Sequence, residues 1–354
     1  MQSTQPQRPL PRSMQFVLFI TGLLWLLASH SVADHSAQGI ATRLNLPSIE
    51  SLLSEVFCLF LLLVGFATLN WIATRSGDIR EDNALPKRAT AFREAQLGMA
   101  LGWAMLLGAV LPMVLVGDLH PQFWFAPRAW GLTLLSLVAL AAGALVLEVA
   151  FRGYLFTKLI AAIGPVLATL LLSLIYAGLS SFHPNATVLS FCITFLLGIL
   201  FSLAYLRTHA IWLGWGLHFA WIAATGVLLG LPVAGLGIYT SFVTTDSGGL
   251  NWITGGAYGP EGALFTVVVL AVAMAVLYRM TRDYAWEYTH APIVPAAYAV
   301  VVAPPAAHTA MEEAAAAKPA PLVQILGATP TSASTLPVID EHLRTNANSG
   351  ETEQ

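Results

Sequence analysis

Eight apolar runs, each close to twenty residues long and separated by polar stretches, set the limits on what this chain can fold into. They cover 14–33, 52–72, 97–116, 129–147, 165–182, 187–206, 211–229 and 262–278, the fourth continuing helically towards Lys158. As a helix, a run of about 20 residues matches the ~30 Å hydrocarbon core of a bilayer. Only helices and closed barrels satisfy their own backbone in lipid, and the two-residue alternation of barrel strands is missing here. The sequence therefore predicts an all-α fold, a polytopic membrane helix bundle of about eight transmembrane helices.

Composition agrees with that expectation. Charged residues make up 10% of the chain and hydrophobic ones 56%, against about 25% charged in soluble domains. An ordinary soluble domain is excluded. The formal net charge is -3, and no basic patch interleaved with aromatics offers a surface to nucleic acid. Cys58 and Cys192 both fall inside apolar runs, too few for a disulfide framework or a cysteine metal site. The first run, preceded by Arg8 and Arg12 and followed by Ser31-Val32-Ala33, also fits a cleavable signal peptide. Its length and the seven runs that follow favour a retained span.

Basic residues orient the chain. Arg75, Arg80, Lys87, Arg88 and Arg93 follow the second run, Lys158 the fourth, Arg207 the sixth, and Arg279 with Arg282 the eighth. All fall on the side of Arg8 and Arg12, whereas the opposite loops carry Arg43 and Arg128. The positive-inside rule then places both termini in the cytoplasm, with the chain multi-pass in the cytoplasmic (inner) membrane. Residues 1–13 form a cytoplasmic segment, 14–282 the membrane domain with its motif core at about 129–262, and 283–354 a disordered cytoplasmic tail. The glycine-rich 230–260 loop lacks the strand and Lys-Ser/Thr of a phosphate cradle and reads as turn-forming backbone.

Within the runs, Glu148, Arg152, His183 and His218 stand out, with Tyr176, Ser180 and Ser181 adding hydroxyls. Glu148 and Arg152 are four residues apart, a spacing that puts both on one helix face. An isolated charge at membrane depth costs at least ~2.5–3.5 kcal/mol, so such residues tend to mark function. Two readings stay open for the pair, a functional site and a structural lock between helices. A carboxylate and two histidines on three helices can hold a zinc ion and its water. With no HExxH, such a site needs separate helices. At 1.5 Å per residue, Glu148 lies about 15 Å from Lys158 and His218 about 14 Å from His209, the same level. His183 lies about 27 Å from Pro165, near the membrane surface, where an interfacial role also explains it. His218 equally fits a histidine hydrogen-bonded to a neighbouring helix.

Three stretches resemble the CPBP intramembrane metalloproteases, the Abi or CAAX prenyl protease 2-like family. Its pattern is EExxxR, then FxxxH on the next helix, then HxxxN or HxxxD on a later one. Here the first motif aligns with Glu148-Val149-Ala150-Phe151-Arg152-Gly153-Tyr154-Leu155. The second aligns with Ser173 to Ser180 and the third with Gly216-Leu217-His218-Phe219-Ala220-Trp221-Ile222. The loop segments 230–235 and 254–262 are similar to the loop that many bacterial members carry before the last span. The resemblance covers roughly 75–282 and implies an eight-span metal-dependent endopeptidase.

It further implies catalytic roles for Glu148, Arg152 and His218, with His218 and Glu148 as zinc ligands; His183 lies outside the motif and would join them only if its helix unwound or slid by about one turn, ~5 Å. Tyr176 and Ser180 would contact a membrane-associated protein or peptide substrate, with membrane lipid around them. The departures are equally specific. Leu147 occupies the place of the first glutamate, Ser180 that of the first histidine, and Ile222 that of the asparagine. A leucine takes no proton and an isoleucine supports no oxyanion. The expectation is a CPBP-type protein with impaired hydrolysis, a possible pseudoenzyme. The alternative is an inactive binding, immunity or chaperone-type membrane protein using the same cavity. A transporter is disfavoured, since paired discontinuous helices and internal symmetry are not evident.

Overall fold

The computed structural model describes residues 10–75, 79–116, 118–123, 127–237 and 242–282. The segments 1–9 and 283–354, including the stretch read as a disordered tail, lie outside the described residues. Helices dominate: α1 (Arg12–Leu44), α2 (Glu50–Thr74), the short α3 (Ile79–Asp82), α4 (Ala91–Val116) and α5 (Pro127–Glu148). They are followed by α6 (Phe156–Ile163), α7 (Pro165–Ser180), α8 (Val188–Thr208), α9 (Trp212–Ala223), the short α10 (Asn251–Thr254) and α11 (Leu264–Met280). The expected helical bundle is present.

Five helical segments among the described residues are long and apolar enough to cross a membrane. The other three expected runs form shorter apolar helices, Pro165–Ser180, Trp212–Leu228 and Leu264–Met280. Chain punctuation explains several ends. Gly164 at φ 87° and Pro165 together break α6 from α7, since proline cannot donate to a continuing helix. α1 runs on to Leu44, past the apolar stretch, until Asn45 closes it in the left-handed conformation.

One element departs from an all-helical layout. β1 (Asp118–Phe123) and β2 (Val243–Gly248) pair antiparallel, Asp118 opposite Gly248 and Phe123 opposite Val243. The strands join the α4–α5 connection to the glycine-rich loop, which is therefore more than a turn.

The interior has two apolar clusters. One gathers side chains from α4, α8, α9 and α11, including Met105, Leu197, Leu217 and Trp221. The other joins α1, α2 and the α5–α7 region, including Phe19, Leu62, Phe151 and Leu172. α5 contributes to both, Leu140 and Ala144 to the first, Val146 to the second. That position puts the end of α5 in the seam between the clusters.

The start of α8 is fixed by a reciprocal cap. Thr187 Oγ1 accepts from the Ser190 amide at 3.1 Å, and Ser190 Oγ accepts from the Thr187 amide at 2.7 Å. Thr187→Ala is expected to cost about 1 kcal/mol, while Thr187→Ser keeps the bond. Equal thermal unfolding of the two detergent-solubilised variants would remove the cap from the account.

Candidate functional site

α5 ends at Glu148, and the chain continues through a π-helical segment, Val149–Leu155, before α6. A wide turn of this kind often marks a functional position, because it re-aims side chains that a regular helix fixes. All seven of its residues are buried. α9 approaches from the other cluster and passes into a second π segment, Ala224–Leu228. Trp215 pins it to α5, its indole N–H donating to the Ala141 carbonyl at 2.9 Å.

Glu148 and His218 meet in this seam. Glu148 is 0% exposed and His218 4%, with His218 Nδ1 and Glu148 Oε1 3.3 Å apart. The carboxylate also presses on the backbone of α9, where a Cβ on Gly214 would come 2.7 Å from Glu148 Oε2. The imidazole stacks on Phe201 of α8, ring centres 4.6 Å apart and 27° between planes.

Arg152 is as deeply buried as its partner. Its Nη1 stands 3.9 Å from Glu148 Oε1, a charge pair longer than a hydrogen bond. Its Nη2 donates to the Gly198 carbonyl at 3.3 Å. Aromatic faces supply the rest of its surroundings, with the guanidinium carbon 5.0 Å from the Tyr176 ring, 5.0 Å from Phe201 and 5.7 Å from Phe151. Cation–π attraction grows when the cation is desolvated, which suits a guanidinium without water. Among the described residues, Glu148 Oε2 and Arg152 Nε have no hydrogen-bond partner.

The remaining expected site residues divide. Tyr176 lines the seam, edge-on to Phe151 at 5.3 Å as well as beneath Arg152. Ser180 turns its hydroxyl back on its own helix, donating to the Tyr176 carbonyl at 3.1 Å. His183 is half-buried and bonds elsewhere, its Nδ1–H donating to the Ala234 carbonyl at 3.1 Å. Leu147 and Ile222 are packed apolar side chains.

A further carboxylate belongs to the neighbourhood, and sequence reasoning missed it. Glu261, just before α11, is 7% exposed and accepts from the Trp221 indole N–H at 2.7 Å. Burial pushes its carboxyl above the ordinary range, opposed by the Trp221 hydrogen bond and by the charge of nearby His218. The sequence signal was faint. Glu261 follows Gly259-Pro260, in a stretch read only as turns.

These positions test the expected zinc site. Three ligands with an open fourth place are needed for catalytic zinc. Among the described residues, no group of three His, Cys, Asp or Glu side chains is arranged to hold a metal ion. Glu148 and His218 meet, but among the described residues no third such side chain, His183 included, joins them. The donor set therefore does not fit catalytic zinc.

What the seam offers is a buried carboxylate–imidazole pair with a guanidinium beside it and aromatic rings around it. No curated protein and no solved structure matches the chain. Residues 129–224, which hold Glu148, Arg152, Tyr176, Ser180, His183 and His218, match the family model described as Type II CAAX prenyl endopeptidase Rce1-like, so that segment of this chain of apolar, membrane-length helices is similar to CAAX proteases.

Proposed function

We propose that this protein keeps the membrane-embedded chamber of a CAAX-type endopeptidase while its metal-dependent peptide-bond hydrolysis is impaired. The chamber then holds a membrane-associated peptide or protein segment without turning it over. The observation that carries this reading is the donor set. Glu148 and His218 meet at 3.3 Å, and among the described residues no third ligand-forming side chain joins them. Leu147 supplies no base for water, and Ile222 no donor to a developing oxyanion. Loss of one oxyanion donor alone costs about 10²–10³ in rate. The basic residues support placement in the cytoplasmic membrane with both termini in the cytoplasm.

Within the chamber each residue keeps a defined task. Glu148 accepts from N–H groups of a bound chain, Arg152 holds that carboxylate, and His218 offers an imidazole nitrogen to the peptide. Tyr176 and Phe201 provide apolar walls. Zinc content and turnover decide the matter. Protein purified without chelator is expected to contain far less than one zinc per chain and to leave prenylated and membrane-spanning peptides uncut. Photo-crosslinking should nonetheless capture such a peptide, and Glu148→Ala should weaken capture. Stoichiometric zinc together with chelator-sensitive cleavage would overturn the proposal, making Glu148 the activator of water.

A further inference from the structure

α7 is 16 residues long, about 24 Å at 1.5 Å per residue, several ångströms short of a ~30 Å hydrocarbon core. The helical segments Trp212–Leu228 and Leu264–Met280 are similarly short. Neither end of α7 offers a charged anchor. Val166 and Leu167 are exposed at its start, and Leu170 and Leu174 continue the apolar surface. Past its other end, the turn to α8 carries Phe182, 87% exposed, and α8 opens on Val188, 83% exposed.

The backbone of that turn is suited to a medium without water. The amide N–H groups of Ser181, Phe182, His183 and Ala186 bond to carbonyls within the segment. Thr187 donates to Ser190 Oγ, and Pro184 has no N–H to satisfy. Irregular backbone is costly in lipid because unsatisfied donors there find no water. This turn has satisfied most of its donors.

We propose that the α7–α8 turn is immersed in the bilayer, with Phe182 and Val188 among lipid acyl chains. Asn185, exposed beside them, offers its amide to the headgroups. The lipid boundary then lies beside Ser180 and His183, so a peptide diffusing in the bilayer meets this end of the bundle without crossing water.

Depth-resolved fluorescence quenching tests this on the resting full-length chain, with neither metal nor peptide. It therefore stands or falls separately from the hydrolysis question. Cys192, exposed on α8, is replaced by alanine, and buried Cys58 is retained. Phe182→Cys or Val188→Cys then carries a small fluorophore, and Arg43→Cys at the exposed end of α1 provides the aqueous reference. In vesicles of phosphatidylcholine brominated on its acyl chains, the labels at 182 and 188 should lose most of their emission. Iodide in the buffer should leave those labels bright and dim the one at 43. Iodide quenching at either position, or no loss in brominated lipid, overturns the proposal. If Phe182→Cys fails to fold, the Val188 label decides alone.

Discussion

Replacing Arg152 by leucine is expected to destabilise the folded protein by about 3–5 kcal/mol, the loss typical when one partner of a buried pair disappears. The side chain is 1% exposed, and Glu148 beside it is fully buried. With the guanidinium gone, the carboxylate keeps His218 as its one hydrogen-bonded neighbour among the described residues. Three aromatic rings also lose the cation they surround. The long 3.9 Å separation does not weaken this expectation much, because both side chains are buried and charges act more strongly at low local dielectric. A double-mutant cycle isolates the pair. Glu148→Gln in the Arg152→Leu background should cost less than Glu148→Gln alone, read from thermal unfolding in detergent. Strictly additive losses would mean that the two charges do not support each other.

The second large effect belongs to the contact between α4 and α9. A Cβ on Gly98 would fall 2.1 Å from the Leu213 carbonyl oxygen, and one on Gly216 2.1 Å from the Ala95 carbonyl oxygen. Gly102 similarly faces the Leu217 carbonyl. Two backbones lie against each other here, as small residues allow in membrane helix pairs. The listener to any intrusion is therefore main chain, which cannot rotate aside. Gly216→Ala and Gly98→Ala should each lose about 1–3 kcal/mol from overpacking and displace the helix that carries His218. Gly178 on α7 supplies the contrast, since a Cβ there meets nothing within 4 Å. Gly178→Ala should be neutral or gain up to ~1 kcal/mol from helix propensity. If all three alanines melt alike, the close approach has been misread.

The helices were legible because lipid demands length and internal hydrogen bonding, and apolar runs record both. Their ends were less so. The 165–182 run counted Phe182, yet α7 stops at Ser180, because an exposed phenylalanine scores as apolar whether it belongs to a helix or a turn. The equal depth of Glu148 and His218 followed from helical rise alone, and the two side chains do meet. The same ruler put His183 near the membrane surface, and its Nδ1–H bonds to the Ala234 carbonyl.

What stayed hidden depends on distant partners. The wide turn at Val149–Leu155 leaves no mark in hydropathy, since every residue in it is buried in either register. The β1–β2 pairing joins segments more than a hundred residues apart. Glu55 on α2 was submerged in the average of its run, although its carboxylate comes up against Gly143 on α5. Glu261 was passed over for a related reason. Only the Trp221 indole, 40 positions earlier, shows where it points.

That last bond has a mechanical consequence. Trp221 lies three positions after His218 on α9, and Glu261 closes the segment leading into α11. Whatever grips the stretch ahead of α11 therefore holds a lever on the imidazole, and strain applied at one is delivered to the other.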